Sequence, residues 1–273
     1  MGPLFPPLIF PCFSLVIIIF STCRLCRFCA RVPNDMSFTS LSLPYSSRTL
    51  SLLSLGSSSL PAVILLQEWW GVSREILDFG ASISNLGYRV VIPDLYDGSL
   101  ALSVAEAEHN MNALNWVQAK DDIVATAAFL KKEGAPRVGI TGTCMGGALA
   151  LVGAVHADVD CCAPFYGTPD PSLADTSTIT IPVEAHFGGL DNLAGFSDVE
   201  AANKLKESLA KNSPGSVVHI YDGVGHGFMN SAPDKPKISD DVSVETGFPP
   251  AQKDVQQLAF ERLEAFFAKH LKQ

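Results

Sequence analysis

The fold is decided by one stretch, Val138-Gly139-Ile140-Thr141-Gly142-Thr143-Cys144-Met145-Gly146-Gly147-Ala148-Leu149. Its first residues have the β-branched composition of a buried strand, and its last residues have the apolar composition of a helix. Between them, Gly142 and Gly146 flank Cys144 in the Gly-x-Cys-x-Gly pattern of a nucleophile elbow, with cysteine in place of serine. Glycines suit such a turn because the backbone passes close to its neighbours and leaves no space for a Cβ atom. We therefore interpret Cys144 as a nucleophile; the alternative is a buried structural cysteine.

Composition favours one large α/β domain and excludes several classes of partner. The chain has 273 residues, of which 47% are hydrophobic, and a formal net charge of -9. A full core is therefore possible, but the basic surface that nucleic acids and anionic membranes require is absent. Cys161 and Cys162 are adjacent within an apolar run, which does not form a disulfide framework and favours a reducing compartment. We expect a cytoplasmic monomer that has no metal, no cofactor and no stable membrane span.

Residues 1–35 are interpreted as a leader or a non-native extension outside the fold. The apolar run at 8–20 is short for a membrane span. It also lacks the preceding basic residues that a signal peptide has. The arginine and serine content of residues 1–35 fits an organellar transit peptide, so import into an organelle is the alternative localisation. A further alternative is that translation begins at Met36, and we assign residues 36–273 to a single domain.

Apolar runs and amphipathic stretches alternate along that domain. Beyond two short strands within 37–60 that turn at Ser46-Ser47, strands are predicted at 62–66, 88–92, 137–141, 159–165, 181–187 and 216–221. Helices are predicted at 73–86, 121–132, 198–211 and the C-terminus, with a cap or lid at 94–120 and a polar loop at 231–250. The alternation predicts a mostly parallel sheet with helices on both faces, which binds ligands beyond the carboxyl ends of its strands.

Two further candidate residues follow strands at that same edge of the sheet. Asp191 lies four residues beyond Phe187, at the end of one strand, and His226 follows the last strand in a glycine-flanked loop. A nucleophilic thiol needs a base, and the base needs an orienting acid, so we assign these roles to His226 and Asp191. Asp94 also follows a strand and is the alternative acid. The order nucleophile, acid, histidine is that of α/β-hydrolases.

Glu68 is a fourth candidate because it ends a buried strand and precedes Trp69 and Trp70. A lone carboxylate in such an apolar setting is costly unless it is paired. It either interacts with Cys144 or its proton, or is an exposed acid at the strand end. The main-chain N–H groups of Met145 and Trp69 are the expected oxyanion donors.

Together these residues resemble the dienelactone hydrolase (carboxymethylenebutenolidase) family of α/β-hydrolases over about residues 45–271. The matching segments are Leu66-Gln67-Glu68-Trp69-Trp70-Gly71-Val72, Pro93-Asp94-Leu95-Tyr96, Gly142-Thr143-Cys144-Met145-Gly146-Gly147, Phe165-Tyr166-Gly167, Gly188-Gly189-Leu190-Asp191 and Gly225-His226-Gly227-Phe228. The resemblance implies a triad of Cys144, Asp191 and His226. It also implies that Glu68 contacts the cysteine in the resting enzyme and releases it when substrate arrives.

The chain departs from the family pattern at two positions. Where well-studied bacterial members have arginines that hold the substrate carboxylate, this sequence has Gly98 and Asn230. The expected pocket residues are Trp70, Tyr96 and Phe228, and the tryptophans suit an apolar or aromatic acyl group better than an anionic dienelactone.

The leading hypothesis is a cysteine hydrolase that binds small lactones or esters and forms an acyl-enzyme. A carboxylesterase or thioesterase of the same fold, and a receptor-like protein that keeps the pocket without catalysis, are the alternatives. A third interpretation is a redox or metal protein built on the spacing Cys23-x-x-Cys26-x-x-Cys29, although no fourth ligand lies nearby.

Overall fold

The computed structural model of the chain describes residues 37–230 and 251–272. The predictions for the leader, the cysteine spacing at 23–29 and the loop at 231–250 lie outside these residues. Within them, no helix combines the length and the apolar character needed to cross a bilayer.

Eight described strands form one sheet. They are β1 (Thr39–Tyr45), β2 (Arg48–Leu55), β3 (Ala62–Leu66), β4 (Arg89–Pro93), β5 (Val138–Thr143), β6 (Cys161–Phe165), β7 (Glu184–Gly188) and β8 (Val217–Tyr221). Their order across the sheet is β1-β2-β4-β3-β5-β6-β7-β8. The pairs β1–β2 and β2–β4 are antiparallel, and every other neighbouring pair is parallel. The predicted α/β fold with a mostly parallel sheet is thereby confirmed.

Helices connect the parallel strands, and a further helix follows β8. They are α1 (Arg74–Asn85), α2 (Val104–Ala113), α3 (Trp116–Lys132), α4 (Met145–His156), α5 (Val199–Leu209) and α6 (Lys253–Leu271), with a 3-10 turn at Thr176–Thr178. Residues 94–120, predicted as a cap or lid, contain α2 and the start of α3. The predicted helix start at Asp121 is wrong, because Asn115 caps α3 by accepting a hydrogen bond from the Gln118 N–H group.

Two predicted strand boundaries move for local reasons. β7 begins at Glu184 rather than at 181, and Pro182, which lacks an N–H group, precedes it. β6 begins at Cys161 rather than at 159, and the preceding Asp160 carboxylate accepts a hydrogen bond from the Val138 N–H group at 2.7 Å. These shifts leave the carboxyl ends of β6 and β7 within one residue of their predicted positions, whereas β5 ends at Thr143, two residues beyond its predicted end.

The central strands are buried on both faces, and this explains their continuous apolar sequences. All five residues of β3, all six of β5 and all five of β6 are buried between the helical layers. In the parallel register Leu66 pairs with Gly142, which in turn pairs with Pro164. The loops that follow these strands therefore leave the sheet at one edge.

Candidate active site

Cys144 lies at the turn from β5 to α4 in a conformation that is rare for a side-chain-bearing residue. Its φ is 55° and its ψ is -118°. A Cβ atom added to Gly142 would lie 2.4 Å from the Gly146 carbonyl oxygen, and one added to Gly146 would lie 2.3 Å from the Leu66 carbonyl oxygen. Only glycine fits these approaches, so the flanking glycines allow the strained turn that presents the cysteine.

His226 and Asp191 lie in line with the cysteine. His226 Nε2 lies 3.1 Å from Cys144 Sγ, and His226 Nδ1 lies 2.8 Å from Asp191 Oδ2. The histidine is 6% exposed and the aspartate 6% exposed, so water screens these contacts little. Asp94, the alternative acid, instead accepts a hydrogen bond from the Tyr96 N–H group.

The contacts of His226 favour its protonated form. Burial alone lowers the pKa of this histidine, but the charge of Cys144 and the hydrogen bonds with Asp191 and Cys144 outweigh it and raise the pKa to about 10. These contacts therefore favour the ring with a proton on each nitrogen. An imidazolium that faces the sulfur suits a thiolate nucleophile.

Glu68 is held by Asn230 rather than by the cysteine. The side-chain amide Nδ2 of Asn230 donates to both carboxylate oxygens of Glu68, at 3.0 and 2.9 Å. Glu68 is 4% exposed, so it is not the exposed strand-end acid of the alternative interpretation. Burial raises its pKa, while contacts with Thr143, Asn230 and His226 lower it. The resting contact with Cys144 that the family resemblance implies is not found among the hydrogen bonds of the described residues, in which Asn230 donates to the carboxylate.

The expected oxyanion donors, the main-chain N–H groups of Met145 and Trp69, belong to segments that lie close together. Met145 begins α4, and Trp69 follows the end of β3. The close approach of Gly146 to the Leu66 carbonyl oxygen brings the start of α4 against the end of β3. Within residues 37–230 and 251–272, neither N–H group donates to a main-chain carbonyl. Both remain available to a ligand oxygen.

The expected pocket residues differ in their surroundings. The Tyr96 hydroxyl contacts Met145 Sδ at 3.3 Å and is half-buried. Trp70 is 7% exposed and packs with Ala101 and Ala107, and its ring contacts Trp69 edge-on at 5.2 Å. Phe228 is 1% exposed and packs against Tyr166 and Tyr221. Trp70 and Phe228 are therefore packed side chains, whereas Trp69 and Tyr96 retain exposed surface.

Comparison with known proteins decides the family. The model of the dienelactone hydrolase family matches residues 51–271, which is most of the chain. The chain belongs to the dienelactone hydrolase family. This confirms the prediction, made from the sequence motifs, of a dienelactone hydrolase-like hydrolase.

Curated relatives of this dienelactone hydrolase family member match over most of their length. The chain is 30% identical to protein usf of Aquifex pyrophilus over 184 residues, which cover 62% of this chain and 77% of that protein. It is 27% identical to the carboxymethylenebutenolidase of Pseudomonas putida over 184 residues, which cover 63% and 76% of the two chains. A solved dienelactone hydrolase-like promiscuous phosphotriesterase from metagenomic libraries has a TM-score of 0.67 at 15% identity, covering 86% of this chain and 98% of that one. That likeness shows the shared fold.

Two residues beside His226 have no role assigned from the sequence, although Tyr166 lies in the matching segment Phe165-Tyr166-Gly167. Tyr166 follows β6 with φ 36°, and its ring lies 5.1 Å from the His226 ring. The rule that catalytic residues follow strands could have found it. Ser197 is fully buried, and its Oγ lies 3.0 Å from His226 Nδ1. It lies six residues beyond Asp191 in a loop, and no sequence signal distinguishes it from the other serines.

Proposed function

We propose that this protein hydrolyses small uncharged esters or lactones through a covalent acyl-enzyme on Cys144. The proposal rests above all on one observation, the continuous contact from Cys144 Sγ through the ring of His226 to Asp191 Oδ2, at 3.1 and 2.8 Å. Membership of the dienelactone hydrolase family supports the same reaction class.

In the acylation step the Cys144 thiolate attacks the carbonyl carbon of the substrate. As the C–S bond forms, the carbonyl electron pair moves to oxygen, which accepts hydrogen bonds from the N–H groups of Met145 and Trp69. The tetrahedral intermediate then expels the alcohol oxygen. His226 protonates that oxygen from Nε2, so the products are an alcohol, or the free hydroxyl of an opened lactone, and a thioester on the enzyme.

In the deacylation step the neutral His226 ring acts as a base. Its Nε2 atom takes a proton from water, and the resulting hydroxide attacks the thioester carbonyl. The Cys144 thiolate leaves, the acid is released, and the imidazolium again faces the thiolate. Asp191 holds Nδ1 protonated throughout, which keeps Nε2 directed at the sulfur and stabilises the charged ring.

The proposed substrate class follows from the charges around the site. The two positions at which well-studied family members have arginines are Gly98 and Asn230, and the amide of Asn230 is engaged by Glu68. Glu68 and Asp191 are both buried acids beside His226. A substrate that carries its own carboxylate would approach these acids without the two arginines of well-studied members, so an uncharged acyl group is favoured.

The nucleophile is tested with Cys144→Ala and p-nitrophenyl acetate. We expect hydrolysis to fall by at least about 10³-fold, because the attacking atom is removed. Cys161→Ala is the matched control, since Cys161 is a free, buried cysteine on β6 and should leave the rate within about twofold. Retention of wild-type activity in the Cys144 variant would refute the proposal and favour a receptor-like role.

The preference for an uncharged acyl group is tested by comparing p-nitrophenyl butyrate with the anionic p-nitrophenyl hemisuccinate. The two acyl chains are similar in length and carry the same leaving group, so they differ mainly in the terminal carboxylate. We expect kcat/KM to be higher for the neutral ester by about tenfold or more, the effect of roughly one unfavourable charge contact. Equal or reversed values would contradict the proposed substrate class.

A further inference from the structure

Ser197 lies against the same nitrogen of His226 as Asp191. The Oγ atom of the serine is 3.0 Å from His226 Nδ1, and Asp191 Oδ2 is 2.8 Å from that atom. Ser197 is 0% exposed, so its hydroxyl has no access to bulk water. Two buried oxygens therefore meet one ring nitrogen, although a triad requires only one.

One loop positions both oxygens. Asp191 and Ser197 lie between β7 and α5, and the loop folds back on Leu193. The Leu193 N–H group donates to Asp191 Oδ1 at 3.1 Å, and the Leu193 carbonyl accepts from the Ser197 N–H group at 3.1 Å. The hydroxyl of Thr168 donates to the Phe196 carbonyl at 2.7 Å and anchors the loop. The separation of the two oxygens is thus set by the backbone.

The number of hydrogen atoms available shows that Asp191 Oδ2 and Ser197 Oγ differ in what they can do at Nδ1. Nδ1 carries one hydrogen both in the imidazolium and in the neutral ring whose bare Nε2 faces Cys144. A carboxylate can only accept that hydrogen, and the serine hydroxyl can accept it with a lone pair while directing its own hydrogen elsewhere. When the Nδ1–H group of His226 is shared between two acceptors in fixed positions, the imidazole ring resists rotation. A single acceptor would leave the ring free to tilt about that one hydrogen bond.

We propose that Ser197 is a positioning residue that shares the Nδ1 hydrogen of His226 with Asp191, keeps the ring aligned with Cys144 and stabilises its charged form. This rests on the proposed function, in which the ring alternates between the charged and the neutral state. Because the serine contacts neither the reacting sulfur nor the oxyanion donors, it contributes to turnover and not to substrate binding.

The test uses Ser197→Ala in the full-length chain. We expect kcat for p-nitrophenyl acetate to fall roughly 3- to 30-fold, the loss of one hydrogen bond to a charged group, with KM unchanged. We also expect the titration midpoint of His226, followed by NMR of ¹⁵N-labelled histidine, to move to lower pH. Ser197→Thr keeps the hydroxyl and should restore the midpoint.

Ser213→Ala is the matched control for the loss of a buried hydroxyl. Ser213 is 2% exposed, and its hydroxyl donates to the Ile181 carbonyl away from His226. This variant should lose stability without any change in the His226 midpoint or in kcat. If the alanine variant at 197 does not fold, Ser197→Cys preserves the packing and weakens the acceptor, so it carries the same test.

The outcomes separate this proposal from the proposed function. An unchanged midpoint and kcat in the Ser197 variant, with a loss of stability like that of the Ser213 variant, would overturn the positioning role. The NMR titration does not require turnover. It therefore shows whether Ser197 stabilises the charged His226 ring even if Cys144→Ala retains activity and the proposed function fails.

Discussion

Asn230→Ala should destabilise the protein because the buried carboxylate of Glu68 loses the amide group that donates to both of its oxygens. Glu68 is 4% exposed and accepts two contacts from Asn230, at 3.0 and 2.9 Å. The loss of a hydrogen-bond donor from a buried charged group costs about 1–3 kcal/mol. We expect a loss of about 2 kcal/mol at pH 8, where the ionised form of Glu68 is more populated than at low pH.

The pH dependence of this loss follows from the raised pKa of Glu68. Burial raises the pKa of Glu68 above its unfolded value of 4.5, so folding favours the protonated acid. The carboxyl group therefore costs stability as the pH rises above 4.5. Removing Asn230 raises the pKa further, because a contact that favours the charged form is lost. The variant should therefore lose less stability at pH 4.5, which lies below the raised pKa of Glu68, than at pH 8.

Urea unfolding at the two pH values measures the effect. Asn212→Ala is the matched control, since the Asn212 amide donates to the Ser177 carbonyl at the surface, and it should change stability by less than about 0.5 kcal/mol at either pH. A loss below about 0.5 kcal/mol for Asn230→Ala, or an equal loss at both pH values, would refute the pairing with Glu68.

Three further predictions concern the elbow, the sheet and the triad. Gly146→Ala places a methyl group 2.3 Å from the Leu66 carbonyl oxygen, so we expect a loss of at least about 2 kcal/mol by thermal unfolding, and an unchanged Tm would contradict it. Burial keeps the pKa of His186 well below 6.5, so only the unfolded chain takes up this proton and stability is lost as the pH falls below 6.5; His186→Phe should flatten that slope in urea titrations between pH 7 and 5. Asp191→Asn removes a carboxylate that raises the pKa of His226, so the His226 midpoint should fall from about 10 and kcat should drop by at least about 10²-fold, whereas an unmoved midpoint would exclude Asp191 as the partner.

Three residues that are distant in the chain can be assigned to one edge of the sheet from sequence alone. Cys144, Asp191 and His226 each follow a strand of the sheet, and parallel strands bring their carboxyl ends to one edge. Chain order and glycine content then distinguish these residues from Asp94, which also follows a strand. This part of the site is predictable because it depends on strand ends, which apolar runs mark well in the sequence.

The remaining contacts depend on packing that no local pattern encodes. Glu68 and Asn230 are 162 positions apart, and their contact depends on how the loop after β8 folds over the end of β3. Ser197 lies in a loop whose course is set by its own main-chain hydrogen bonds. The start of α3 at Trp116 is not predicted because its capping residue, Asn115, lies within a stretch of mixed composition.

The central claim, covalent catalysis at Cys144, is tested most directly by trapping the acyl-enzyme. The protein is mixed with p-nitrophenyl acetate, quenched with acid during turnover and digested, and the peptides are analysed by mass spectrometry. We predict one acetyl group on the peptide that contains Cys144, and unmodified peptides containing Cys161 and Cys162. Continued turnover with no acetyl group on Cys144, or with the acetyl group on another residue, would contradict the account.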